Sequence, residues 1–174
     1  MTVDYSKVAA YDVRNAIWLE LQSYGLLDPK NYMAEGFNEP LIPIIPSQQV
    51  PEFNNLLPGK TYITYDIVQK SYGVQWWISD ETMVMQIVSR SNTEILTIIN
   101  FLTDLFRRYE KSALDLNMQR TDGSPFRFLY AKVESANPIQ PFTDEGGFMS
   151  GDFSANYTYT RDVDQEASNS GRYI

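Results

Sequence analysis

The residues of this chain that could do chemistry are carboxylates, lysines and tyrosines. Its 174 residues include no Cys and no His. That removes thiolate nucleophiles, disulfides, Ser-His and Cys-His arrangements, and zinc sites built on nitrogen or sulfur. An enzyme would have to use carboxylate, Lys or Tyr chemistry, or a metal held by oxygen alone. Asp80-Glu81, Asp115 and Asp122 are the acids that could pair for glycoside hydrolysis, one protonating the leaving group and one attacking or activating water. Any acidic protein offers such pairs, so the pattern carries little weight. Asp144 and Glu145 beside Gly146-Gly147 have the residue types for calcium but not the ligand spacing of an EF-hand, and read as a solvated turn. The same glycine pair lacks the Lys and the strand-to-helix setting of a phosphate loop. Arg107, Arg108 and Lys111 make a small basic cluster, more simply the solvated end of a helix. No catalytic, cofactor-binding or metal-ligating residue is assigned, and no cofactor is expected.

The elements that must position these groups follow from periodicity. Ser91 to about Asn117 predicts one long amphipathic helix. Ser91 and Glu94 have the spacing of a capping box, and Ile95, Ile98, Ile99, Leu102, Leu105, Phe106 and Tyr109 form a wide apolar stripe. A first helix is expected from about Ser6 to Tyr24, started by Asp4 or Ser6 and stopped at Gly25. Its stripe is Ala9, Val13, Ile17, Leu21 and Tyr24, with Trp18 off it, either a contact for a partner or the edge of the core. Strands are expected at 61–70, 81–89, 126–134 and 152–161, the last alternating almost strictly. The first two are close enough in sequence to pair antiparallel.

Residues 25–60 hold Pro at 29, 40, 43, 46, 51 and 58, a density that forbids helix and demotes any strand to an edge; Leu41–Ile45 is the candidate for one. Such a stretch either wraps its own core or lies across a neighbouring subunit. The expected fold is a single α+β domain over residues 1–161. It has an antiparallel-rich sheet of four to five strands, an N-terminal helix and one long central helix packed on it, and a Pro-rich arm at 25–60. Residues 162–174 read as a flexible or docking tail.

The balance of 14 Lys plus Arg against 22 Asp plus Glu gives a net charge of −8, unsuited to gripping nucleic acid by its phosphates but compatible with a surface that DNA slides past. The N-terminus has neither the basic nor the apolar region of a signal peptide, and the apolar runs are too short to span a bilayer, so no membrane partner is expected. With 12 Tyr and 3 Trp the chain has more amphipathic aromatics than its core should absorb, which favours binding or assembly over catalysis. The adjacent Trp76 and Trp77 point opposite ways on extended chain, so one can enter the core while the other needs a partner or stays exposed.

The order of elements, the stretch Ile42-Pro43-Ile44-Ile45-Pro46-Ser47-Gln48-Gln49-Val50-Pro51-Glu52-Phe53, and the Leu57-Pro58-Gly59 that precedes a Tyr-rich strand carry a resemblance. So do the Trp pair, the Arg107-Arg108-Tyr109 helix end and the Tyr157-Thr-Tyr-Thr-Arg161 strand. The chain resembles tail terminator (tail completion) and neck proteins of long-tailed bacteriophages over most of residues 5–161. The long Pro-rich arm departs from the more compact members. The resemblance implies a structural virion protein, in the tail or neck and in the host cytoplasm during assembly. It would form a homo-oligomeric ring, usually a hexamer, on the head-proximal end of the tail tube. Its implied partners are the tail tube protein, the head connector or neck protein and the sheath protein, with DNA passing through the lumen without specific binding. A ring needs two different sticky surfaces per subunit. The arm (Ile44, Ile45, Gln48, Gln49, Phe53), the Trp pair and the 135–151 loop (Phe142, Phe148) are the expected interface residues. Other readings are a different phage neck or baseplate adaptor, a small carboxylate-dependent hydrolase, or an acidic mimic of DNA, though the long helix lacks the regular exposed acids a mimic would show.

Overall fold

Alternation in four segments builds the sheet, and two apolar stripes build its cover. The computed structural model describes residues 8–72, 77–137, 140–141 and 147–161. Asp4, Ser6, Trp76, Phe142, the Asp144–Gly146 turn and the 162–174 tail lie outside them. The order is α1 (Ala9–Ser23), β1 (Ile44–Pro46), α2 (Val50–Leu56), β2 (Tyr62–Tyr72), β3 (Ile78–Ser89), α3 (Asn92–Phe106), α4 (Glu110–Met118), β4 (Phe126–Ala136), β5 (Gln140–Pro141) and β6 (Met149–Arg161). Across the sheet the strands run β1-β2-β3-β6-β4, and the two-residue β5 also pairs with β6. Only β1 with β2 is parallel; β2–β3, β3–β6 and β4–β6 are antiparallel. The hairpin before the central helical region and the one after it thus join in one α+β sheet through β3 and β6.

One face of the sheet packs under α3 and α4, with α1 against both helices. Met83, Met85, Ile87, Phe153, Ala155, Tyr157 and Tyr159 point into that core and are all buried. Gly151 lies on the same face, where a Cβ would stand 2.7 Å from Ile99 Cδ1 and 2.8 Å from Ile95 Cγ2, so the missing side chain lets α3 approach β6 closely. The Ser91 hydroxyl caps α3 by accepting from the Glu94 N–H at 3.3 Å. The box is only half formed. Glu94 accepts from Thr61 and Ser89 hydroxyls at 3.0 and 2.9 Å, and Ser89 accepts the Ser91 N–H at 3.1 Å.

The structure departs from the sequence pattern at three places. The expected single central helix is two, α3 and α4, broken at Tyr109, whose backbone has φ +55°. Tyr109 consequently leaves the stripe for the surface, while Ser112 Oγ accepts the Arg108 N–H at 3.0 Å to start the second helix. The Pro-rich stretch does contain a helix, α2, because Pro51 falls in its first turn, where no N–H is needed. In α1 the stripe runs from Ala9 to Leu21, but Tyr24 is exposed and Trp18 is buried edge-on to Tyr32 at 6.2 Å, so Trp18 is core and not a partner contact. Gly25 ends α1 as expected, with φ +72°.

Candidate functional site

Phe53 of α2 covers the second face of the sheet at Tyr62, and away from that end no helix packs on this face among the described residues. Strand register brings Thr64, Asp66, Asp80, Thr82, Val84 and Gln86 into rows with Asp152, Ser154, Asn156 and Thr158, and then with Tyr130, Lys132 and Ser135. The face is polar and internally bonded. Asn156 Nδ2 donates to Thr82 Oγ1 at 3.2 Å, Ser135 and Ser154 hydroxyls share a 2.7 Å hydrogen bond, Ser47 donates to Asp66 at 2.7 Å, and Thr158 donates to Asp80. Two shallow, open depressions lie here, of about 640 Å³ around Asp80, Lys132 and Asn156 and about 350 Å³ around Asp66, Gln86 and Asp152. Three aspartates and Glu134 line these depressions against one base, Lys132, with Arg127 farther along the same face opposite Thr160. The result is a broad, wet, acid-leaning wall rather than a cleft.

The four acids that the sequence offered for a pair, Asp80, Glu81, Asp115 and Asp122, fall on different elements or different faces. Asp80 and Glu81 are adjacent on β3 and so face opposite sides of the sheet. Glu81 is under the helices, 4% exposed, and accepts from the phenols of Tyr157 at 2.7 Å and Tyr159 at 2.6 Å. Burial first, and then the Glu81 charge and hydrogen bond, push both phenols well above the ordinary tyrosine range. Asp115 and Asp122 sit on α4 and on the turn before β4. Among the described residues no group of three or more acids gathers to hold a metal ion, and no helix is long and apolar enough to cross a membrane. Asp12, which periodicity did not single out, is buried. It accepts from the Thr121 N–H and hydroxyl at 3.0 and 2.7 Å and from Ser124, and so clasps α1 to the turn before β4.

The expected interface residues have separate fates. Ile44, Ile45 and Phe53 are buried in their own chain, Phe53 tilted against Tyr62 at 5.6 Å, and all three also line the groove beside β1. Gln48 and Gln49 are exposed on the short turn between β1 and α2. Trp77 is half-buried at the start of β3, and Phe148 is half-buried beneath the Arg90 guanidinium at 4.7 Å. Leu27, Tyr32, Ala34 and Leu57 are also buried, so the described Pro-rich stretch wraps its own core. Residues that the periodicity did not point to stand out instead. Leu114 and Met118 are 61% and 82% exposed, one turn apart on the outer side of α4. They fall off the apolar stripe, which is the only signal they leave in the sequence.

The two sheet edges differ in kind. β4 forms the long one. There the Asn117 side chain donates to the Phe128 carbonyl at 2.8 Å and accepts the Phe128 N–H at 2.7 Å, taking the place of a neighbouring strand, and Arg120 donates to the Phe126 carbonyl. β1 forms the short edge, beside an apolar groove of about 430 Å³ whose walls include Phe37, Leu41, Ile42 and Leu56.

No known protein family matches this sequence, and no curated protein does. Among solved structures, a chain of the "virion of native gene transfer agent (GTA) particle" is similar at 10% identity and a TM-score of 0.42, over 90% of this chain and 99% of that one. Likeness of that degree does not bear on function.

Proposed function

We propose that this protein is a structural component of a bacteriophage virion, without enzymatic activity. In this reading it is a tail terminator: a ring at the head-proximal end of the tail tube that stops tube growth and joins the tube to the head connector. The observation that carries the reading is the bare second face of the sheet. A polar wall with many of its hydrogen bonds met internally and an excess of carboxylates offers little to a ligand. It suits the bore of a channel, because it repels DNA phosphates and so lets DNA pass. The order of elements resembles that of tail terminator and neck proteins, and the arm, the helix end and the last strand resemble phage virion proteins, which supports the same reading. The tail tube protein, head connector and sheath protein are then its partners, and the virion tail or neck its location.

Native mass spectrometry over a range of protein and salt concentrations tests this directly. A hexamer, or a monomer that closes into rings as concentration rises, is the expected result. A strict monomer at all concentrations would favour the alternative of a neck or baseplate adaptor.

A further inference from the structure

Two stretches of strand edge, on opposite sides of the sheet, have no neighbour among the described residues. The first belongs to β2. On its outer side β1 pairs only with Ile63, Thr64 and Tyr65. From Ile67 to Tyr72 no described strand lies on that side. Ile67 and Val68 there are 39% and 61% exposed, at a bulge between Ile67 and Gln69. An edge that carries exposed Ile and Val is a template for another strand.

The second belongs to β4, which is paired by β6 alone. Its first residues are already served from the outer side, the Phe126 carbonyl by Arg120 and the Phe128 amide and carbonyl by Asn117. From Tyr130 to Ala136 no strand takes that place among the described residues. Register across the sheet fixes the heights of the two stretches. Tyr130 is level with Thr158, Asp80 and Ser71, and Ala136 is level with Phe153, Met85 and Tyr65. Open β4 thus ends at the height where β1 leaves β2, since Pro46 pairs with Tyr65. At the other limit Phe128, filled by Asn117, is level with Tyr72, the last residue of β2. The open part of one edge coincides in height with the open part of the other.

We infer that β4 of one copy of this chain pairs with β2 of the next, Tyr130–Ala136 alongside Ile67–Ser71, so that the sheet runs on from subunit to subunit. Within one chain β2 and β4 point in opposite directions, because every step from β2 through β3 and β6 to β4 is antiparallel. A copy turned about an axis along the strands therefore offers its β2 antiparallel to β4, with no shift in height. The incoming β4 lies in line with β1 on the same side of β2 and does not overlap it. The two edges are different surfaces, so the contact is heterologous and closes into a ring when its rotation permits. The polar second face then continues across each joint as one wall. This inference rests on the ring reading and specifies the edges that make the ring.

Removing one edge amide tests it. The Ile63 N–H donates outward to the Pro43 carbonyl at 2.8 Å, so alternate amides of β2, that of Ile67 among them, face the outer edge. Ile67→Pro deletes that donor without breaking a bond to β3, whereas Ile67→Ala keeps it, and circular dichroism checks that both fold. The proline variant should associate about tenfold more weakly than the alanine variant. As the chain has no Cys, Val68→Cys and Glu134→Cys, both at exposed sites, add a readout that holds even if the proline variant does not fold. An equimolar mixture of the two should cross-link with a short bis-maleimide. Neither alone should, because like positions on successive copies lie four strand spacings, about 19 Å, apart. Oligomers that are equally strong in both Ile67 variants and give no mixed cross-link would overturn edge pairing while leaving the ring reading in place. Cross-linking of Glu134→Cys alone would overturn it too, since that joins two β4 edges about a two-fold axis. A protein that stays monomeric and uncross-linked at every concentration would overturn both readings.

Discussion

Glu81 sits where a bare carboxylate would cost several kcal/mol, and the phenols of Tyr157 and Tyr159 reduce that cost by donating to it. The three groups come from adjacent strands, with Glu81 opposite Tyr157 in register. Tyr157→Phe removes one donor from a buried charge and should lower stability by about 1.5–3 kcal/mol in urea unfolding. The same phenols set an alkaline limit. Tyrosines of the unfolded chain ionise near pH 10. Tyr157, Tyr159 and Tyr32 are raised above that, chiefly by burial, so the fold holds protons that the unfolded chain has released. Stability from this source is complete below about pH 10 and falls as pH rises above it. Thermal melts followed from pH 8 to 12, with phenolate absorbance as a second signal, should show late-titrating tyrosines ionising together with unfolding.

Two helices pack on one sheet face because the backbone turns sharply between them at Tyr109. A positive φ costs a residue with a Cβ about 1–3 kcal/mol, and here the ring offsets part of that by packing at a tilt against Tyr130 at 5.0 Å, worth about 0.5–1.5 kcal/mol. Substitution at this position should therefore invert the usual helix ranking. Tyr109→Gly should be more stable than Tyr109→Ala by about 1 kcal/mol, since both lose the ring but only Gly relieves the backbone. Equal stabilities would show that the turn is unstrained. Gly151 governs the other helix contact. Gly151→Ala places a methyl against two Ile side chains of α3 and should cost about 1–3 kcal/mol, read as a lowered Tm, because the helix must shift outward or its side chains leave their rotamers. The strands were legible in the sequence at this scale, since alternation of period 2 needs no knowledge of partners. The break was not. Arg107-Arg108-Tyr109 contains no Gly or Pro, and Ala113 and Leu116 resume a buried face on the far side.

For the whole molecule, the sheet has one face sealed by helices and another that is polar and largely open. The acid excess on the open face leads to a further expectation. The natural chain should show no DNA binding at physiological salt. The double variant Asp66→Lys, Asp152→Lys should bind duplex DNA measurably, with an affinity that falls as salt rises, in a gel-shift or anisotropy titration. Failure of the variant to gain binding would mean that this wall does not meet DNA as a channel lining must.

The sequence by itself determined the first helix, the four long strands, the antiparallel pairing of β2 with β3, and the exclusion of thiol and imidazole chemistry. These depend on residue type, local periodicity and short connections, which the linear order contains. The tertiary structure alone decided that Ile44, Ile45 and Phe53 are core, that Asp80 and Glu81 serve different faces, and that β4 and β1 end the sheet. Burial and edge position are set by which segments cover which, a long-range outcome. An apolar residue in a Pro-rich stretch reads the same whether it packs on its own chain or waits for a neighbour.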